Sequence, residues 1–109
     1  MGKYQLGEFE EIVMLTVGIL LGEAYGLGIL DEMEKRLNRK VSIGALQTVL
    51  RRLESKGYLE SEFGESTAIR GGKRKRYFKL TQLGKRVLTE TKEQRLGLWA
   101  ALPNIVLND

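Results

Sequence analysis

The chain contains neither cysteine nor histidine. That double absence removes disulfides, structural zinc of any Cys/His type, cysteine nucleophiles, Ser-His-Asp triads and imidazole bases together. Proline occurs once, and 29% of residues are charged, which argues for a folded, helix-rich domain rather than a disordered segment. Long apolar runs are missing as well. The longest, Ile12 to Leu21, is broken by Thr16 and Gly18 and is too short to cross a bilayer. It lacks the cationic flank and small-residue cleavage site of a signal peptide, so a cytoplasmic protein with no membrane partner is expected. A length of 109 residues gives room for one modest core and none for a separate catalytic domain.

The acidic residues form no catalytic pair. Glu8, Glu10 and Glu11 sit where a helix begins, and Glu60 and Glu62 share one face of a strand-like stretch. Nothing clusters carboxylates at metal-ligand spacing, so no metal and no cofactor are expected, and no enzyme. Gly26 and Gly28 lack the spacing and preceding strand of a dinucleotide fingerprint. Thr67 stands where a phosphate-binding loop before Gly72-Lys73 needs its first glycine.

What the chain does have is charge in one place. Eighteen Lys and Arg face 14 Asp and Glu, for a net charge of +4. Five of the 18 fall within Arg70-Gly71-Gly72-Lys73-Arg74-Lys75-Arg76, and without that stretch the remainder is net −1.

The apolar periodicity places the run within an order of elements. A first helix is predicted from Leu6 to Leu21, with Phe9, Ile12, Val13, Thr16, Val17 and Leu20 at helical spacing. Met14, Leu15, Ile19 and Leu21 make it apolar on a second side, which calls for cover on two faces: the core and a second subunit. Leu27, Leu30, Met33 and Leu37 mark a shorter helix ending near Asn38. The cations Lys35, Arg36, Arg39 and Lys40 at its end read first as partners of the helix dipole. A third helix runs from Ile43 to Lys56, capped by Ser42 and closed by Gly57. Its stripe of Ile43, Leu46, Val49, Leu50 and Leu53 leaves Gly44, Gln47, Thr48, Arg51, Arg52 and Ser55 on the other face, with no acid before Glu54. Tyr58–Phe63 and Arg76–Leu80 alternate like strands around the basic loop. Tyr25, Tyr58 and Phe78 are expected to pack in the core or the wing. A final helix, Gln82 to about Leu102, ends at Pro103, and Ile105-Val106-Leu107 trails behind.

Three helices followed by a two-stranded wing describe a mainly α fold with a small β-wing, a winged helix-turn-helix carrying a long C-terminal helix. In that arrangement the third helix enters the DNA major groove by its N-terminal half, where short or planar polar side chains fit against base edges. Gln47 suits adenine, Thr48 a thymine methyl or a phosphate, and Arg51 guanine or the backbone. Gly71 and Gly72 let the wing backbone approach DNA closely, while Lys73 and Arg74 neutralise phosphate.

Four stretches in this order resemble the PadR-type transcriptional regulators: Leu6-Gly-Glu-Phe-Glu-Glu-Ile-Val13, Glu23-Ala-Tyr-Gly26, Gly44-Ala-Leu-Gln-Thr-Val-Leu-Arg-Arg-Leu-Glu-Ser-Lys-Gly57 and Arg70-Gly-Gly-Lys-Arg-Lys-Arg-Tyr77. The resemblance extends from about Leu6 to Trp99 and is similar to the short-tailed members of the family. It implies a homodimeric repressor of double-stranded DNA, with a palindromic operator and a dimer built by the first and last helices. Residues 1–80 would be the winged helix-turn-helix domain and residues 81–109 the dimerisation helix and tail. The candidate DNA-binding residues are Ser42, Gly44, Gln47, Thr48, Arg51, Arg52, Gly71, Gly72, Lys73 and Arg74. Many members of the family carry Tyr where this chain has Gln47. In some relatives a Trp on the last helix stacks on flat aromatic ligands at the dimer interface, so Trp99 is assigned to that interface, as anchor or as ligand platform. Two alternatives remain: a ligand-sensing, multidrug-type regulator, and a winged-helix protein-interaction module. The second has no need of a basic wing.

Overall fold

The structure, a computed structural model, describes residues 5–64 and 74–108. Helix α1 spans Glu8–Ile19, two residues shorter at each end than its apolar periodicity. It begins where the Gly7 N–H donates to Glu10 Oε1 at 2.9 Å, the backward half of a capping box. It ends where Leu21 (φ 26°) and Gly22 (φ 88°) turn the chain through the left-handed region. Val13, Met14, Thr16 and Val17 are buried, so Met14 belongs to the core. Leu15 and Ile19 stay half exposed, and Leu21 is 86% exposed. Part of the helix's second apolar side therefore has no cover among the described residues.

Glu10 does more than begin a helix. It is buried, and its Oε2 lies 2.9 Å from Lys56 Nζ at the end of α3 (Ile43–Ser55). Burial alone would raise its pKa. The Lys56 ammonium, the Gly7 N–H and the Arg52 charge together outweigh that and hold it below 4.5. A depressed folded pKa contributes stability above the unfolded value, and the contribution is lost as pH falls through the folded value. Glu10→Gln is therefore expected to cost about 1–2 kcal/mol at pH 7. Urea midpoints of variant and wild type should converge below the carboxylate range; a constant gap would refute the pairing.

Helix α2, Gly26–Leu37, follows a short turn, and Asn38 closes it in the left-handed conformation. Asp31 pairs with Lys35 at 3.0 Å, Glu32 with Arg36, and Glu8 with Arg39 at 3.7 Å. Three of the four cations ending this helix are thus bound to acids of their own chain. Helix α3 starts at the expected cap, with Ser42 Oγ accepting from the Ala45 N–H at 3.1 Å. It closes in a Schellman motif: Gly57, at φ +80°, donates to the Glu54 carbonyl and Tyr58 donates to that of Leu53. Leu46, Val49, Leu50 and Leu53 form its buried stripe, while Ile43 at the start is 37% exposed.

Strands β1 (Leu59–Phe63) and β2 (Arg76–Leu80) pair antiparallel, with Leu59 opposite Leu80 and Phe63 opposite Arg76. Tyr58 and Phe78 are buried as expected, whereas Phe63 is 54% exposed because the hairpin has left the body of the domain there. A third edge is added by Ala24–Tyr25: the Phe78 N–H donates to the Ala24 carbonyl, and Tyr25 bridges Tyr77.

Helix α4, Gln82–Ala101, is about 30 Å long at 1.5 Å per residue. Thr81 caps it, its side chain accepting from the Gly84 N–H at 3.0 Å. Gly84 and Val87 are buried on the core and Leu88 packs against it; from Lys92 onward every described residue of the helix is exposed, Leu98 to 74% and Trp99 to 63%. Past Pro103 the expected trailing segment forms one more short helix, α5 (Asn104–Leu107), whose apolar side chains are also exposed. The radius of gyration, 16.6 Å, exceeds the roughly 13 Å of a compact chain of this length, and the longest dimension is 60 Å. The excess is the arm made by the far half of α4. Arg95 ties that arm to α1 through Glu11 at 2.8 Å.

Candidate nucleic-acid interface

Opposite its buried stripe, α3 presents Gly44, Gln47, Thr48, Arg51, Arg52 and Ser55, all exposed, as the sequence predicts. At 100° per residue the centre of that stripe is Gly44, Thr48, Arg51 and Ser55, with Gln47 and Arg52 on its flanks. A Cβ on Gly44 would meet nothing within 4 Å. No neighbour requires glycine there, so the surface is bare at its most outward point. Thr48 Oγ1 donates to the Gly44 carbonyl at 3.0 Å, which fixes its hydroxyl against the helix. The Ser42 hydroxyl accepts the capping bond, so its first role is structural.

Gln47 and Arg51 line a cleft of about 840 Å³ between α3, the start of α2 and β2. Arg74, Lys75 and Arg76 form its opposite wall, and Tyr25, Leu27, Ile43, Leu50 and Phe78 complete the lining together with Gly26 and Glu54. Of the predicted residues, the structure therefore brings Gln47, Arg51 and Arg74 to one cleft. Ser42, Gly44, Thr48 and Arg52 lie on the same helix outside its lining. Gly71, Gly72 and Lys73 lie outside the described residues. Trp99 does not line this cleft.

Charge pairing separates the cations into two groups. Lys35, Arg36, Arg39, Lys56, Arg76, Lys79 and Arg95 each have a carboxylate within 4.0 Å. Among the described residues Lys40, Arg51, Arg52, Arg74, Lys75, Lys85, Arg86 and Lys92 have none. Exposed ion pairs contribute little to stability, but they do neutralise one another's fields. Positive charge without a close carboxylate is therefore left on α3 and the wing, where Arg51 and Arg74 share one cleft, and also along α4 at Lys85, Arg86 and Lys92. Reading the sequence missed Tyr25, Leu27 and Ile43 as lining residues. They appeared as ordinary apolar positions, and only tertiary packing turns their edges into a cleft.

Residues 15–90 match the sequence model of the transcriptional regulator PadR-like family. The chain belongs to the PadR-like family. The match begins within α1 and ends within α4, and so takes in α3 and both wing strands. An uncharacterised protein of Lysinibacillus sphaericus is 33% identical to this PadR-like chain over 102 residues, covering 92% of the chain and 85% of the relative. The solved PadR-like transcription factor of Bacteroides fragilis is 30% identical at a TM-score of 0.69, covering 92% of this chain and 86% of its own. A PadR family transcriptional regulator from Eggerthella lenta is 28% identical, also at 0.69, covering 94% and 88%. The mainly helical fold with its two-stranded wing and long C-terminal helix is thus the PadR-like winged helix, and the family is one of transcription factors. Among the described residues no group of acids could hold a metal ion, and no helix is long and apolar enough to cross a membrane.

Proposed function

We propose that this PadR-like regulator is a DNA-binding repressor that acts as a homodimer on a palindromic operator. The observation that carries the DNA contact is that Arg51 and Arg74, with no carboxylate within 4.0 Å among the described residues, stand on two walls of one cleft, with Arg52 exposed beside it on α3. Phosphate contacts need free cations, and base reading needs a helix face of small and planar groups; α3 and the wing supply both. Residues 1–80 are the DNA-binding unit and residues 81–109 the arm. The arm's exposed Leu96, Leu98 and Trp99, with Leu15 and Ile19 of α1, are the surface that a second copy covers. In this reading Trp99 is an interface anchor. Two recognition helices then meet successive major grooves about 34 Å apart, which is why the operator is palindromic.

A salt titration on the DNA upstream of the protein's own gene tests the contacts. Arg51→Ala should cost about 1–3 kcal/mol on the operator and relax its specificity. Lys73→Ala combined with Arg74→Ala should weaken binding to any duplex and lower the salt slope by about two. Affinity that ignores salt would sink the proposal.

A further inference from the structure

The basic run is not uniform in what it touches. Glu54, the last but one residue of α3, lines the cleft beside Arg51, an acid whose only charged companions in that lining are the cations Arg51, Arg74, Lys75 and Arg76. Its Oε2 accepts from Ser61 Oγ of β1 at 2.7 Å. Arg76 Nη1 of β2 donates to the same Ser61 Oγ at 3.0 Å and lies 3.8 Å from Glu54 Oε1. The Arg76 guanidinium also covers the Phe63 ring at 4.5 Å. The Ser61 hydroxyl is thus donor to one charge and acceptor from the other, and the three side chains join the recognition helix to both wing strands. Charged partners polarise such a chain of bonds in the same sense. A second tether lies beside it: Lys75 Nζ stands 4.2 Å over the Tyr25 ring, which meets Tyr77 edge-on at 5.8 Å. Of the described cations in the run, only Arg74 has no partner among the described residues.

We infer that Glu54 is a positioning residue: through Ser61 and Arg76 it fixes the angle of the wing against the recognition helix, and Arg76 serves that contact rather than DNA phosphate. The inference rests on the DNA-binding reading for its consequence, and on the geometry alone for the tether. Its signature is a sign. A carboxylate beside phosphate repels it, so an acid with no other task would, when neutralised, leave binding stronger. A positioning acid, when neutralised, leaves binding weaker.

Full-length wild type, Glu54→Gln, Arg76→Gln and the double variant are titrated by fluorescence anisotropy against the upstream duplex and a random duplex of equal length. Each single variant is expected to bind the upstream duplex about tenfold more weakly, and the double variant no worse than either single one. The slope of log affinity against log salt stays at the wild-type value in all three, whereas Arg74→Ala lowers it by about one. Ser61→Ala keeps both charges and removes the shared hydroxyl, and it reproduces the loss. Hydrogen exchange at Gly64, whose N–H bonds the Lys75 carbonyl at 2.8 Å just beyond the outer Phe63–Arg76 pair of the wing, should quicken in Glu54→Gln. Tighter binding by Glu54→Gln, additive losses, or a slope lowered by Arg76→Gln would overturn the inference. If the wild type binds neither duplex, the DNA reading fails while exchange at Gly64 still decides the tether: unchanged exchange overturns it.

Discussion

Replacing Leu98 and Trp99 together by glutamate is expected to give a folded monomer that binds operator DNA roughly a hundredfold or more weakly. The fold should survive because the buried residues of α4 are Gly84 and Val87. Leu98 lies eleven residues beyond Val87, about 16 Å along the helix, and touches no core. Association should not survive. Leu98 and Trp99 are 74% and 63% exposed, and covering a large apolar side chain is worth about 1.5–3 kcal/mol. Two carboxylates on that face would leave their charges unpaired in any interface built there. In the proposed dimer, losing the second subunit also removes the effective concentration that makes the second half-site contact nearly intramolecular. Sedimentation equilibrium and anisotropy on the same preparation read the two effects separately. A variant that stays dimeric would place the interface elsewhere, and a dimer that still binds normally would detach it from DNA recognition.

The second large effect lies at Gly84. A Cβ there would stand 2.1 Å from the Tyr58 carbonyl oxygen and 3.0 Å from its carbon. Both are backbone atoms, and neither can step aside as a side chain would. The Tyr58 carbonyl is held in place by the Thr81 N–H at 3.1 Å, while Thr81 Oγ1 donates to the Gly57 carbonyl next to it. The start of α4 is clamped onto the turn that leaves α3. Gly84→Ala is expected to destabilise by about 3 kcal/mol. For a chain of this size that lowers the melting temperature by more than about 10 °C. Gly44→Ala is the control, since its Cβ would meet nothing. It should gain about 0.5–1 kcal/mol, the usual advantage of alanine over glycine within a helix. Equal melting of Gly84→Ala and wild type would mean that α4 does not approach Tyr58 this closely.

Local chemistry explains which parts of this molecule were legible in the sequence. Ser42, Gly57, Thr81 and Pro103 act within a few residues of themselves, and each bounds the helix that its type predicts. The wing strands were legible for the same reason, because alternation is a property of a short segment; their register, Leu59 opposite Leu80, came only with the structure. The exposed face of α3 followed from its periodicity alone. The early end of α1 was not legible. Leu20 and Leu21 continue the apolar pattern, but the turn at Leu21 and Gly22 is set by the route into α2. Glu10 looked like a helix-start acid until Lys56, forty-six residues away, turned it into a buried ion pair. Nothing in the residues around Gly84 marks it as required, because the atom that demands it belongs to Tyr58. In the site, the helix contribution could be read from spacing. The partners of Lys75 and Arg76 could not, since a run of basic residues carries no sign of which ones the fold has already engaged.

Gly44 has a bearing on how such a protein is engineered or diversified. It sits on a helix with open space around it, so the folded chain alone would favour alanine there. Under selection for heat resistance alone, drift at this position runs away from glycine. Under selection for grip on a groove, each added methyl is an obstacle. On the proposed DNA-binding reading, a library of thermostabilised variants would therefore be enriched at Gly44 in proteins that fold better and bind DNA less, and reversion there is the first place to look for restored binding.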